Sequence, residues 1–372
     1  MAEQPINLSG PDITDAEIEG VAAVLRTPSL SLGPKVPEFE SRFTERLGLK
    51  HAIACNSGTS GLHLIWRALD VVDGAEVVTT PFSFIASSNS IMFTGAKPVF
   101  VDIDPDTWQI DAHLIEGAVT TKTRAVLPVD VFGSVPDMDA INAIAKKRKL
   151  RVVEDSCEAL GTKLQGAPAG TLGEVGVFGF YPNKQITTGE GGMIVTNDDE
   201  VAFRCRSLRN QGRDPDAGWL QHARLGYNYR LCDINSALGV VQMSRLDEIV
   251  ARRAQVARWY LDRLSAEGRI TSQKLPAGLE MSWFVFVVRL SDNYTQSDRD
   301  RILENLRERG IGCSNYFTPI HLQPFYQRDL GYGPGDFPVT EALSCRTVAL
   351  PFHNGMSEAD VDRVVKEFRA LL

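Results

Sequence analysis

EVVTTPFSFIASSNSIMFTGAKPVFVDI, residues 76–103, decides the fold. Glu76–Thr80 is an apolar, β-branched run of strand length, Phe84–Thr94 has helical character and stops at Gly95, and Pro98–Ile103 is a second buried strand. Strand, helix and strand on short links make a βαβ unit, and its two strands run parallel. The alternation continues on both sides. Upstream, Thr14 and Glu17 spell a capping box ahead of the helical stripe Ile18, Val21 and Leu25. Val36, Phe39, Phe43 and Leu47 repeat that spacing before Gly48, His51–Cys55 is a short strand, and Thr59–Leu69 is a helix. Downstream come strand Arg124–Val129, helix Pro136–Arg148 and strand Arg151–Asp155. Strands separated by helical crossovers predict an α/β fold whose mainly parallel sheet is covered on both faces.

Beyond Gly161 the pattern shifts to strands with short connections, Val175–Phe180 and Met193–Thr196. Asp233 to about Leu264 holds no proline and predicts one long helix, a bridge to a smaller α/β unit. That unit comprises strand Trp283–Leu290, helix Asp298–Arg309, strand Thr347–Leu350 and helix Ser357–Leu371. The domains expected are therefore 1–235 (large), 236–265 (bridging helix) and 266–372 (small, C-terminal). Two domains also suit a chain of 372 residues.

Composition removes several classes of function. A net charge of −8 argues against a nucleic-acid surface, because phosphate contacts need clustered Lys and Arg. The basic run Lys146–Lys149 closes a helix, where cations suit the C-terminal dipole. MAEQPINLSG carries no apolar leader, and no apolar run approaches a bilayer span, so no membrane association is expected. The six cysteines form no CxxC pair and the six histidines show no ligand spacing. Reduced thiols, a cytoplasmic location and no metal are the expectation.

The chemistry concentrates in VFGFYPNKQITTGEGGMIVTN, residues 177–197. Lys184 stands between a strand and a reversal at Gly189, Gly191 and Gly192, where the backbone can turn tightly and a lysine can project into a cleft. Asp155 ends the strand RVVED at the sheet's carboxyl edge, where open α/β folds bind ligands. An amine for a Schiff base and a carboxylate for a pyridinium nitrogen are what a pyridoxal 5′-phosphate site needs. A lone lysine in a loop is ordinarily a surface group, and Glu154-Asp155 could be an ordinary loop cap. Asn56–Gly61, between a strand and a helix, offers helix-start amides that suit a phosphate, although Ser and Thr there are also plain N-caps.

NSGTSGLHL (56–64), TTPFSFIAS (79–87), VVEDSCEALGT (152–162), FYPNKQITTGEGGM (180–193) and GYNYRLCDINSALG (226–239) follow in order and resemble the DegT/DnrJ/EryC1/StrS family of sugar aminotransferases. The resemblance implies the aspartate-aminotransferase type of fold (fold type I), with a mainly parallel seven-stranded sheet. It implies that Lys184 forms the Schiff base and shuttles protons, that Asp155 pairs with the pyridine nitrogen, and that Gly58 and Thr59 hold the cofactor phosphate. Phe84 takes the place of the stacking aromatic, with Phe82 a weaker occupant. Asn228 matches the residue that reaches the phosphate held by the neighbouring subunit of a homodimer with shared active sites. Two positions depart from the commonest pattern. Glu158 stands where many members have His or Gln near the cofactor's 3-oxygen, although glutamate occurs there in the subset that includes perosamine synthases. Gly179 replaces a phosphate-binding serine. Tyr316, His321 and Tyr326 of YFTPIHLQPFY are candidates for the sugar site.

The activity implied passes an amino group from L-glutamate, through pyridoxamine 5′-phosphate, to a nucleotide-linked 4-keto-6-deoxy or 3-keto sugar, for surface-polysaccharide or antibiotic-sugar synthesis. The pyridoxamine-dependent sugar dehydratases of the family carry His where this chain has Lys184. A non-catalytic regulatory relative would show erosion of Lys184 or Asp155, and neither is eroded. An aminocyclitol aminotransferase would use the same site.

Overall fold

The computed structural model describes residues 4–216, 218 and 220–372. Its helices run α1 (Asp15–Leu25), α2 (Lys35–Leu47), α3 (Gly58–Ala68), α4 (Ala86–Met92), α5 (Ala112–Ala118), α6 (Met138–Arg148), α7 (Asp199–Arg209), α8 (Asp233–Ser244) and α9 (Leu246–Leu264), with further helices beyond. Strands are β1 (His51–Cys55), β2 (Glu76–Thr79), β3 (Lys97–Phe100), β4 (Thr123–Leu127), β5 (Arg151–Asp155), β6 (Lys163–Leu164), β7 (Ala167–Pro168), β8 (Val175–Gly179) and β9 (Gly192–Thr196). Then follow β10 (Ile270–Ser272), β11 (Leu279–Glu280), β12 (Phe286–Leu290) and β13 (Thr347–Leu350).

The large sheet has seven strands in the order β1-β9-β8-β5-β4-β2-β3. Pairings of β2 with β3 and β4, of β4 with β5, and of β5 with β8 are parallel, while β9 is antiparallel to both neighbours. The expected mainly parallel sheet is what forms. Its strands are buried on both faces because helices cover both, so β9 reads GMIVT with no exposed position. A three-stranded sheet, β10-β12-β13, carries the C-terminal core, into which α9 inserts Val256, Ala257, Tyr260 and Leu264. Ile6, from the far N-terminus, packs in that same core, and its amide donates to the Gly310 carbonyl at 2.8 Å. The N-terminal strap thus belongs physically with the C-terminal unit, a correction to a division that assigned all of 1–235 to the large one.

Two further expectations are corrected. The single helix read over Asp233–Leu264 is two helices meeting at Arg245 (φ −101°, ψ 2°). Proline is absent, so tertiary contacts hold the break: the Arg245 guanidinium reaches Glu17 at 2.8 Å and Asp12 at 3.0 Å. In α1 the capping box forms as read, but its buried residues are Glu17 and Val24, while Ile18 and Leu25 are 57% and 58% exposed. The helix meets α8 along its Gly20 side, where an added Cβ would lie 2.9 Å from Val241. Its apolar stripe therefore faces away from the chain.

Glu17 locks this corner. Burial pushes its carboxyl up, but hydrogen bonds from Thr14, Arg245 and Gln242 outweigh that and hold it at about 2, against an ordinary 4.5. A depressed carboxyl contributes stability that is complete above the unfolded pKa and is lost as pH falls through the folded one. Glu17→Gln should therefore lower stability by about 3 kcal/mol at pH 7, at ~1.4 kcal/mol for each tenfold change in proton affinity. The gap between variant and wild type should close between pH 5 and pH 2 in urea titrations. A gap independent of pH would show that packing, not charge, holds α1.

Candidate active site

At the carboxyl ends of β4, β5 and β8 and the start of α3 lies a cavity of about 560 Å³. Gly58, Thr59, Phe84, Asp155, Glu158, Lys184 and Tyr316 all line it. They come from segments far apart in the chain, and the parallel sheet gathers them because its loops emerge at one edge.

Alternation along β5 separates its two acids, since neighbouring side chains on a strand point to opposite faces. Glu154 turns from the cavity and accepts the amides of Gly170, at 2.9 Å, and Gly173; burial pushes it up to about 7. Asp155 lines the cavity, 5% exposed, with Oδ2 accepting from Ser87 Oγ at 2.7 Å and Oδ1 from the Cys157 amide at 3.2 Å. Two donors on different oxygens fix the plane of the Asp155 carboxyl group where it lines the cavity.

Lys184 sits on a turn closed by its amide to the Tyr181 carbonyl at 2.9 Å. The loop is tied down next door. Gln185 donates to the Glu158 carbonyl at 2.6 Å and to Ser282 Oγ at 2.9 Å, and the Thr187 amide donates to Gln242 Oε1 at 3.1 Å. The ammonium lies 3.4 Å from Glu158 Oε1 and 3.9 Å from the centroid of the Phe284 ring. Glu158 Oε2 accepts the Phe132 amide at 2.8 Å, made available because Phe132 adopts φ 63°. Burial pushes Glu158 upward, countered in part by Lys184.

The end of the cavity at α3 is built on close backbone approach. In α3 the first helical bond is Gly61 N–H to the Ser57 carbonyl, and the Ser57 hydroxyl caps Ser60, so the amides of Gly58 and Thr59 precede the ladder. A Cβ on Gly58 would come 2.7 Å from Cys157 Sγ, and one on Gly179 would come 3.2 Å from the same sulfur. Cys157 thus occupies the room that a serine at 179 would need. Its thiol, pushed well up by burial, stays neutral. Gly192 is more constrained: an added Cβ would meet the Ser57 carbonyl oxygen at 2.5 Å and carbon at 2.6 Å. Neither backbone can yield without moving the start of α3. Gly192→Ala should cost about 2–3 kcal/mol, read as a lower urea midpoint, and should weaken binding of a phosphorylated pyridine. An unchanged midpoint would contradict the close approach.

An amine, a fixed carboxylate and free helix-start amides in one cavity match the amine, cation and anion sites that pyridoxal phosphate requires. Phe84, 60% exposed, is available to cover a ring face, whereas Phe82 is fully buried edge-on to Phe132 and Phe317.

Not every candidate converges here. His321 is fully buried, with Nε2 3.0 Å from Glu341 Oε1 and its ring edge-on to Phe337. Tyr326 is likewise buried, and its hydroxyl donates to Asn89 Oδ1 at 2.9 Å. Tyr326 belongs to an apolar cluster with Phe100 and Phe337, His321 packs on that Phe337, and neither lines the cavity, so their assignment to the sugar site is corrected. Asn228 is exposed and pairs through its backbone with Asn210, away from this chain's own cavity. Sequence reasoning passed over Ser87, Asn183 and Phe284, which do line the cavity. Ser83, just ahead of α4, and Ser87, within it, are hydrogen-bonded at 3.0 Å. Phe284 carried no signal in the sequence, because it arrives from the distant C-terminal unit.

These features define an aminotransferase of the pyridoxal phosphate type, and the chain belongs to the DegT/DnrJ/EryC1/StrS aminotransferase family, which it matches over residues 11–369. It is 38% identical to GDP-perosamine synthase of Caulobacter vibrioides, across 98% of each chain. It is 36% identical to the spore coat polysaccharide biosynthesis protein SpsC of Bacillus subtilis, across 97% of this chain and 96% of that one. The sugar aminotransferase Spr1654 of Streptococcus pneumoniae, described as putative and solved in its PMP form, superposes with a TM-score of 0.93 at 30% identity over 98% of each chain. The same protein in its PLP form gives the same score at 29% identity over 99% of this chain and 98% of that one.

Proposed function

We propose that this aminotransferase is a homodimer that takes the amino group of L-glutamate and gives it to a nucleotide-linked keto-sugar, a 4-keto-6-deoxy or 3-keto compound. The observation that carries the reading is the convergence of Lys184, Asp155 and the start of α3 on one cavity. Pyridoxal phosphate, when bound, supplies an electron sink and a carrier for the amino group. The chain's residues do the rest. Lys184 Nζ holds the cofactor, and once displaced it takes the proton from the donor carbon and returns it at C4′. Asp155 keeps the pyridine nitrogen protonated, its own orientation set by Ser87 and the Cys157 amide. Gly58 and Thr59 amides hold the phosphate, and Phe84 shields a ring face. Glu158 lies beside Lys184, and Tyr316 forms part of the wall on the sugar side. Identity to GDP-perosamine synthase supports a nucleotide-linked sugar, and identity to SpsC supports a polysaccharide product.

The working parts are the large unit up to residue 235, the α8–α9 region as bridge, and residues 266–372 with the N-terminal strap. Exposed Ile13, Ile18, Leu25, Leu30 and Leu32 give a second copy an apolar surface to cover. Asn228 then reaches the phosphate site of the neighbour. Asn228→Ala should weaken cofactor binding, and mixing it with Lys184→Ala should restore up to about half of the activity per dimer, because one of two sites escapes both defects. Failure of mixed subunits to complement would place Asn228 elsewhere. The substrate class is tested by loading the protein in its pyridoxamine form and adding keto-sugar nucleotides. Return of the aldehyde-form absorption is expected with a nucleotide-linked ketone. Return only with a free cyclitol ketone would overturn the proposal.

A further inference from the structure

We infer that Glu158 is the proton acceptor that frees the Lys184 amine to bond the cofactor's aldehyde. The inference rests on the reading of Lys184 as the cofactor lysine and deepens it. An ammonium has no lone pair, so a proton must leave Nζ before any carbon–nitrogen bond forms. Among the described residues, the anionic oxygen recorded within ion-pair distance of Nζ is Glu158 Oε1, at 3.4 Å. The two side chains are 15% and 8% exposed, and the Phe284 ring covers the cation at 3.9 Å, which limits transfer to bulk water. The Phe132 amide anchors the other carboxylate oxygen at 2.8 Å, so Oε1 stays aimed at the amine.

The surroundings favour a carboxyl that accepts a proton readily. Asp130, Asp155, Cys157, Lys184 and Tyr316 are the titratable groups that act on Glu158 or feel it. Asp130 is fully buried beside it and driven well above the usual carboxylate range, first by burial and then by the neighbouring acids. Asp155 pushes Glu158 in the same direction, and Lys184 alone supplies the opposing positive charge. Moving one proton from Nζ to Oε1 turns a buried ion pair into a neutral pair, which an apolar site tolerates better. The neutral amine then attacks the aldehyde carbon. The carbonyl oxygen leaves as water with the two protons that remained on nitrogen, and Glu158 can return its proton to the new C=N nitrogen. Atoms and charge balance without an outside acid.

The test follows cofactor capture by cofactor-free protein, read as the absorbance change on C=N formation. Glu158→Gln keeps an oxygen for the Phe132 amide but cannot take the proton. Its capture rate at neutral pH should fall about 100-fold and rise tenfold per pH unit, while the wild type stays nearly flat. 4′-Deoxypyridoxine phosphate, which lacks the aldehyde, should still bind both proteins, reporting an intact site. A second variant, Glu158→Ala, should regain capture in proportion to added formate. Capture by Glu158→Gln as fast as wild type, or faster because an anion has been removed, overturns the inference, as does absence of formate rescue in Glu158→Ala that still binds the deoxy compound. Absence of capture at Lys184 in the wild type would instead sink the functional reading itself.

Discussion

Lys184→Ala is expected to give a folded protein whose turnover is lower by about 10⁴-fold or more, because in the proposed reaction one amine both holds the cofactor and carries the proton. Folding should survive. The loop around residue 184 is held by Gln185, Thr187 and the Tyr181 carbonyl, none of which needs the lysine side chain. Removal also leaves Glu158 without its cation in a buried position, so the carboxyl should take up a proton in the variant instead of destabilising it. Borohydride treatment of the loaded wild type should fix the cofactor to the peptide containing Lys184. Label on any other lysine would overturn the assignment, whatever the activity of the variant.

Asp155→Asn should slow both half-reactions by about 10²–10³-fold while the protein still binds cofactor. The amide keeps the size of the carboxylate but offers an oxygen to only one of its two donors, Ser87 Oγ and the Cys157 amide. It also carries no charge to keep a pyridine nitrogen protonated, so the electron sink weakens. Glu154→Gln provides the contrast. Glu154 faces the Gly170–Gly173 turn on the opposite side of the strand, so its loss should lower stability and leave the rates of stopped-flow half-reactions near those of the wild type. The reverse pattern, with Glu154 controlling the rates, would mean that the wrong acid has been placed in the site.

What could be read before folding has a common physical origin in short-range pattern. The βαβ alternation around residues 76–103, the capping box at Thr14 and Glu17 and the left-handed stop at Gly48 are local events, and each formed where it was expected. Lys184 and Asp155 stood out for a related reason, since each has a local setting, a lysine before a glycine-rich reversal and an acid at a strand end. Family motifs then placed Gly58, Thr59 and Phe84, all of which line the cavity.

The sequence by itself determined an α/β chain with a mainly parallel sheet, an amine and a carboxylate at its carboxyl edge, and membership of a sugar aminotransferase family. Contacts between distant segments decided the rest. Arg245 breaks an apparently continuous helix because Asp12 and Glu17, more than two hundred residues earlier, draw its guanidinium toward them. Tyr326 sits in an apolar cluster and His321 is buried against its Phe337, while Tyr316 from the same run reaches the cavity, because burial of a side chain depends on what packs over it. Phe284 meets Lys184 only once the C-terminal unit closes on the sheet. Periodicity reports which face of an element is apolar, and only tertiary packing decides what that face meets.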